Sequence, residues 1–312
     1  MKKKNTLFAI AAALGAGVSA WAVSKYKREK HEAIRKLREG SFLLYTARGP
    51  VETAIVGEGP AVLVLHGGGA GYDLGVLFSY PEEGFKFISV SRPGYLRTPL
   101  ETGPSPSEFA DTLAALLDEL GIEKAAVFGM SGGGPSTIEF AARYPEKCWG
   151  VVLLSAANQP LPSFPASMKF VETILPYSDF LPWLALNTPL MYILSGPKLK
   201  AQIGDNTEKQ SMLKKLMGTM FPLSLRGPGA FNDIKYIQSI PGYPLDQIKA
   251  PTLVIHGDAD SIVPFEQGKY SAATIPNAEL FVVPDGDHFC FITHYEITKP
   301  ALLQFLRTYA PG

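Results

Sequence analysis

The run AVLVL, Ala61–Leu65, is apolar without interruption, and it is bracketed by Gly59-Pro60 on one side and by His66-Gly67-Gly68-Gly69 on the other. A strand with one face in water alternates apolar and polar residues; a continuous apolar run predicts a strand covered on both faces, as in a mainly parallel sheet with helices above and below. FKFISV (85–90), KAAVFGM (124–130), CWGVVLLSA (148–156) and PTLVIHG (251–257) add further strands, and ELFVV (279–283) another. Helical segments separate them. The clearest begins at Ser105-Pro106-Ser107-Glu108, which offers an N-cap, a proline in the first turn and a glutamate three residues after the cap. Phe109, Leu113, Leu116, Leu117 and Leu120 follow at helical spacing, and Gly121 ends the segment. The expected fold is therefore α/β, with helices on both faces of a mostly parallel sheet. Upstream, SFLLYTARG and PVETAIVGEG read as a β-hairpin turning at Gly49-Pro50.

The alternation stops after Ala156. From Asn158 to about Ile248 the chain is rich in proline, leucine, methionine and aromatics, with helix-like pieces such as MKFVETIL and EKQSMLKKLMG. A structureless loop of that length is uncommon, so the expectation is one α/β core, residues 41–157 and 249–312, interrupted by a mainly helical insertion, residues 158–248. The apolar residues of the insertion are expected to form its own core.

Residues 1–40 stand apart. Three lysines at positions 2–4 precede the uncharged stretch Thr6–Val23, near the lower limit of what spans a bilayer as helix. Small residues at Val18, Ala20 and Ala22 allow a cleaved signal peptide. The next sixteen residues, SKYKREKHEAIRKLRE, carry seven lysines and arginines. That flank opposes translocation, and favours a retained membrane anchor over secretion.

Lysine plus arginine equal aspartate plus glutamate at 29 each, which leaves no net field to draw nucleic acid. Cys148 and Cys290 are the only cysteines and lie far apart, excluding a zinc ribbon or a disulfide scaffold.

Between the strand at 124–130 and the helix that follows lies Gly129-Met130-Ser131-Gly132-Gly133, the pattern G-x-S-x-G. A sharp strand-to-helix turn exposes the serine hydroxyl at the strand's C-terminal end, and only small flanking residues let the backbones approach. A serine hydroxyl needs a base within hydrogen-bond reach, held in turn by an acid. His288, in PDGDHF, follows the strand ELFVV; Asp260, in GDADSIVP, follows the strand PTLVIHG. Both thus reach the sheet edge where Ser131 lies, the edge along which open α/β sheets bind ligands. His66-Gly67-Gly68-Gly69 follows AVLVL on the same edge, and its glycines allow amide hydrogens to face an oxyanion. The amides of Gly68 and Gly132 are the expected donors, and Gly69 and Met130 are expected to border the substrate. Within the GMSGGGP run, no local reason for Gly134 is apparent.

GMSGG, LHGGG, GDADSIVP and GDHF, in this order, resemble the α/β-hydrolase superfamily, and SRPGYLRTPL (91–100) resembles a segment of its bacterial esterase and lactonase-like members. The resemblance implies Ser131 as nucleophile, His288 as base, Asp260 rather than Asp258 as acid, and a cap formed by residues 158–248. It implies a serine hydrolase that cleaves carboxylic esters of small to medium apolar acyl or aryl substrates and needs no metal or organic cofactor. Lactone, carbon–carbon or N-terminal peptide hydrolysis could use the same triad, and a ligand-binding role on the same fold is the non-enzymatic alternative. Asp287 is read as orienting the histidine turn, His66 as structural and Cys290 as a small apolar neighbour of the site. His31, His256 and His294 have no evident chemical partner. Arg226, Asn232 and Asp233 are read as holding the cap or touching polar groups of the substrate.

Overall fold

The computed structural model describes residues 2–161, 178–188, 196–239 and 242–312, with the backbone alone for residues 2–20. The strands are β1 (Phe42–Thr46), β2 (Gly49–Val56), β3 (Ala61–Leu65), β4 (Lys86–Val90), β5 (Ala125–Met130), β6 (Cys148–Leu154), β7 (Thr252–Gly257) and β8 (Ala278–Val283). They form one sheet in the order β1-β2-β4-β3-β5-β6-β7-β8. β1 and β2 pair antiparallel, β2 joins β4 antiparallel, and from β4 to β8 all pairs are parallel.

Every residue of β3, β5, β6 and β7 is buried, as continuous apolar runs require, whereas the edge strand β8 is only partly covered. Alternate residues of each strand feed opposite faces. Leu63, Leu65, Val127 and Val151 pack with Phe109, Leu113 and Leu117 of α3 (Pro106–Glu119) and with Ile138 and Phe140 of α4 (Gly134–Arg143). Val62, Val64, Phe128 and Val152 pack on the other face with Leu74 of α2 (Tyr72–Leu77) and with Leu302, Phe305 and Leu306 near the C-terminus. Fully burying a side chain of this kind contributes about 1.5–3 kcal/mol, so both faces are needed to hold the sheet. α3 begins with the expected capping box: Ser105 Oγ accepts from the Glu108 amide, and the Glu108 carboxylate accepts from the Ser105 amide.

The hairpin turns two residues earlier than expected. Ala47-Arg48 form the turn, and Gly49 (φ +120°) and Pro50 already belong to β2. Proline is tolerated there because β4 pairs with β2 only from Thr53 onward.

Between β6 and β7 the described residues form α5 (Phe180–Leu186), α6 (Gly196–Ile203), α7 (Thr207–Gly218) and α8 (Gly227–Ser239). The helix-like piece MKFVETIL lies outside the described residues. The insertion does not keep its apolar residues to itself. Leu199, Ile203, Leu213 and Leu216 join the cluster that covers Val62 and Phe128, so α6 and α7 share a core with the sheet.

The N-terminal helix α1 (Lys2–Glu39) lies against α5. Trp183 Nε1 donates to Glu29 at 2.6 Å, Lys30 pairs with buried Asp179 at 2.6 Å, and Tyr26 packs edge-on against Phe180 and Trp183. Asp179 also accepts from the amide and hydroxyl of Ser224. Among the described residues no helix is long and apolar enough to cross a membrane. Most of the stretch 6–23 expected as an anchor lies outside the described side chains.

Beyond β7 the chain completes the fold with α9 (Phe265–Thr274), the short helix α10 (Cys290–Thr293) and α11 (Tyr295–Tyr309).

Candidate active site

Ser131 directly follows β5 in a left-handed conformation, φ +48°, which non-glycine residues seldom adopt outside sharp turns. It opens a 3-10 turn, Ser131–Gly133, that runs directly into α4. Close contact explains the glycines around it. A Cβ on Gly133 would lie 2.5 Å from the Leu65 carbonyl oxygen, and one on Gly134 would lie 2.8 Å from both Ala156 Cβ and the Ala157 carbonyl oxygen. Gly134, without a local reason in the sequence, is where α4 crosses the chain leaving β6. The same chain closes the turn, since the Ala157 amide donates to the Ser131 carbonyl at 3.1 Å.

The turns after β7 and β8 bring two side chains to this point. The Ser131 hydroxyl lies 3.1 Å from His288 Nε2, and His288 Nδ1 lies 2.8 Å from Asp260 Oδ2. The other Asp260 oxygen accepts from the Ile262 and Val263 amides, each at 2.9 Å. Burial alone would raise the Asp260 pKa. Hydrogen bonds from His256, His288 and Ile262 outweigh it and hold the carboxyl well below the ordinary carboxylate range. Asp258 is exposed, and its amide donates to the Val283 carbonyl at 3.2 Å. Asp287 accepts from the Phe289 amide at 2.8 Å and so fixes the turn that carries His288.

His256 has a partner that its place in an apolar strand did not reveal. Its Nε2 donates to the Val263 carbonyl at 3.0 Å and lies 3.4 Å from Asp260 Oδ2, while its Nδ1 is buried with no partner. Its spacing of four residues before Asp260, at the end of β7, was the available signal. His31 is exposed and His294 Nδ1 meets the Thr293 hydroxyl, so neither approaches Ser131.

His66 is fully buried, and burial with the nearby Arg92 charge keeps its pKa well below the ordinary value. Its Nε2 accepts from the Arg92 amide at 3.0 Å, so Nδ1 carries the proton and donates to the Gly67 carbonyl at 2.7 Å. That bond turns the Gly67 carbonyl back onto the ring. The Gly68 N–H, on the other side of the same trans peptide, therefore points away from His66. A Cβ on Gly132 would lie 3.4 Å from the Gly68 amide nitrogen, so the two expected oxyanion donors are neighbours.

Gly69 (φ +73°) faces the insertion, where an added Cβ would lie 2.9 Å from Met220 Cε. Met130 is buried in the cluster with Phe128 and Leu154. Cys290 is buried 3.9 Å from the Ser155 hydroxyl, and burial pushes its thiol up to about 12. Among the described residues no group of His, Cys, Asp or Glu is arranged to hold a metal ion.

The segment 91–98 braces core and insertion, a role its sequence did not disclose. The Ser91 hydroxyl and Arg97 both bond buried Glu52 of β2, while the Leu96 amide donates to the Leu225 carbonyl. Arg92 forms a paired contact with Asp233 of α8, 2.6 Å at each oxygen. Arg226, fully buried, reaches Asp73 of α2 at 3.0 Å. Asn232 donates to the Pro104 carbonyl at 2.6 Å. All three polar residues singled out in the insertion thus bond the core. A cleft bordered by Arg92, Gly132, Ser136 and Asp233 opens beside this contact, next to Gly132 rather than against His288.

A family model described as "Alpha/beta hydrolase family" matches residues 62–298. A 2-hydroxy-6-oxononadienedioate/2-hydroxy-6-oxononatrienedioate hydrolase of Paraburkholderia phymatum is 30% identical over 269 residues, covering 80% of this chain and 88% of the relative. A bifunctional esterase/perhydrolase of Acinetobacter calcoaceticus is 26% identical over 283 residues, covering 87% of this chain and 98% of the relative. Among solved structures, an alpha/beta hydrolase fold protein from Nakamurella multipartita is 32% identical with a TM-score of 0.71, covering 86% of this chain and 99% of that one.

Proposed function

Because the chain belongs to the alpha/beta hydrolase family, whose model matches residues 62–298, we propose that it is a serine hydrolase cleaving carboxylic esters with apolar acyl or aryl groups. The observation that carries the reading is the run of contacts from Ser131 Oγ through His288 Nε2 and Nδ1 to Asp260 Oδ2, at 3.1 and 2.8 Å. In the first half-reaction Ser131 Oγ attacks the ester carbonyl carbon as His288 Nε2 takes the hydroxyl proton. The carbonyl oxygen becomes an oxyanion facing the Gly68 and Gly132 amides. His288 then gives its proton to the departing alcohol, leaving an acyl-serine. Water attacks that ester, His288 takes the water's proton, and the acid leaves as Ser131 regains its own. Asp260 keeps the imidazole proton on Nδ1 and stabilises the imidazolium.

Residues 158–248 act in this reading as a cap, with Gly69 and Met220 where cap and oxyanion loop meet. Carbon–carbon hydrolysis is the second reading, carried by the named activity of the Paraburkholderia relative. A substrate of that name bears two carboxylates and calls for cations in the site. Arg92 and Arg226, whose charges act on His66, are already paired with Asp233 and Asp73, which favours an uncharged ester. Residues 6–23 are read as a membrane anchor, against secretion after cleavage; membrane fractionation with sequencing of the mature N-terminus separates the two.

The test of the main reading is turnover of aryl esters of graded acyl length by the full chain in detergent, beside Ser131→Ala. Turnover lost in the variant is expected, together with labelling of Ser131 by a fluorophosphonate. Equal rates for the two proteins would overturn the assignment.

A further inference from the structure

We propose that Asp233 is a positioning residue for the oxyanion hole, so that the Gly68 and Gly132 donors are correctly set only while its carboxylate holds Arg92 and Tyr95. The inference rests on the hydrolase reading above and concerns how that site is assembled. Asp233 is shared by two side chains of the segment 91–98. Arg92 holds both of its oxygens at 2.6 Å, and the Tyr95 hydroxyl donates to Oδ2 at 2.5 Å. From these two residues, bonds run to both ends of the loop His66–Gly69. Arg92 Nε donates to the His66 carbonyl at 2.8 Å and the Arg92 amide donates to His66 Nε2 at 3.0 Å. The Tyr95 oxygen accepts from the Gly69 amide at 3.4 Å. The glycines between those anchors include the proposed donor, Gly68.

Distance and burial make this link stiff. Arg92 is 4% exposed and Tyr95 fully buried, so neither can exchange Asp233 for water. A Cβ on Gly132 would lie 3.3 Å from Asp233 Oδ2, and one on Gly68 would lie 3.9 Å from it. The first turn of α8 presses on the same place. The Gly229 amide donates to the Gly94 carbonyl at 2.9 Å, and a Cβ on Gly229 would fall 2.2 Å from the Tyr95 ring. The charge on Arg92 also neutralises a carboxylate that would otherwise oppose an oxyanion forming nearby. Removing Asp233 leaves that guanidinium buried without its carboxylate, so it must turn away, and the bond from its Nε to the His66 carbonyl goes with it.

The experiment compares Asp233→Asn with the unaltered full chain, using ester turnover and two inhibitors of the same carbon skeleton. A trifluoromethyl ketone adds Ser131 and places an oxyanion in the hole; the matching methyl ketone reads ground-state binding. Loss of a whole donor costs about 100- to 1000-fold, and misplacing one is expected to lower kcat about 10- to 100-fold. KM and methyl-ketone affinity should hardly change, while trifluoromethyl-ketone affinity falls by the same factor as kcat. Tyr95→Phe removes only the Gly69 arm and should give a smaller loss of the same pattern, which serves if Asp233→Asn does not fold. Asn232→Ala removes a neighbouring contact between α8 and the core and should leave the ratio of the two affinities unchanged. The proposal is overturned if the unaltered ratio persists in both Asp233→Asn and Tyr95→Phe, or if Asn232→Ala reproduces the loss. Should the unaltered chain fail to turn over esters through Ser131, the hydrolase reading falls instead.

Discussion

His256 Nε2 stands 3.4 Å from Asp260 Oδ2, the same oxygen that meets His288 Nδ1 at 2.8 Å. One carboxylate therefore sits between two imidazoles, with two backbone amides on its other oxygen. Its charge is satisfied on every side, as its proposed role of holding the His288 imidazole requires.

Asp260→Asn keeps the shape and removes the charge. The amide presents an N–H as readily as an oxygen to His288 Nδ1, which favours the tautomer with its proton on Nε2, unable to accept from Ser131. In a serine protease the equivalent change lowers kcat about 10,000-fold, and a loss of that order is expected here with KM little altered. Steady-state kinetics on an aryl ester measures it.

The same carboxyl ties stability to acid. Its folded-state pKa is depressed, so below the ordinary carboxylate value of about 4 the unfolded chain binds the proton more readily than the folded one. The stability it contributes is complete above that pH and is lost as the pH falls toward the lower folded-state value. Denaturant titrations from pH 7 down to pH 3 should show the gap between the unaltered chain and Asp260→Asn narrowing. A constant gap would contradict the assignment.

Gly133→Ala would place a methyl 2.5 Å from the Leu65 carbonyl, with backbone on both sides of the clash. Overpacking of this kind costs about 1–3 kcal/mol, and the movement falls on Ser131 and the oxyanion loop together. A lower melting temperature and a fall in kcat are expected in the same variant.

Both cysteines are buried, and burial pushes the thiols of Cys148 and Cys290 up to about 12. At pH 8 the native chain should give almost no reaction with Ellman's reagent, and two thiols should appear on unfolding. Ester turnover should survive treatment with iodoacetamide.

The sheet was legible because both of its faces are covered, and such strands announce themselves as unbroken apolar runs. Ser131, His288 and the loop at His66 were legible for a different reason: each follows a strand on one edge, and chain order alone brings them near one another. What the sequence could not convey were pairings across the insertion. Asp233 lies 141 residues from Arg92, and no local pattern couples them. His256 read as part of an apolar strand because its polar partner lies beyond the strand's end. Leu199 and Leu213 looked like the core of a separate unit, since periodicity says which side of a helix is apolar and not what covers it.

Helix α1 gives Trp183 its acceptor in Glu29 and gives Asp179 its cation in Lys30, and Asp179 in turn holds Ser224 beside Arg226. Residues 29 and 30 of this helix thus act as a splint for the insertion. Trimming the chain at Ser41 to obtain a convenient soluble protein would strand a buried carboxylate and uncover an aromatic cluster. Rates measured on such a fragment would describe a site with one of its braces removed.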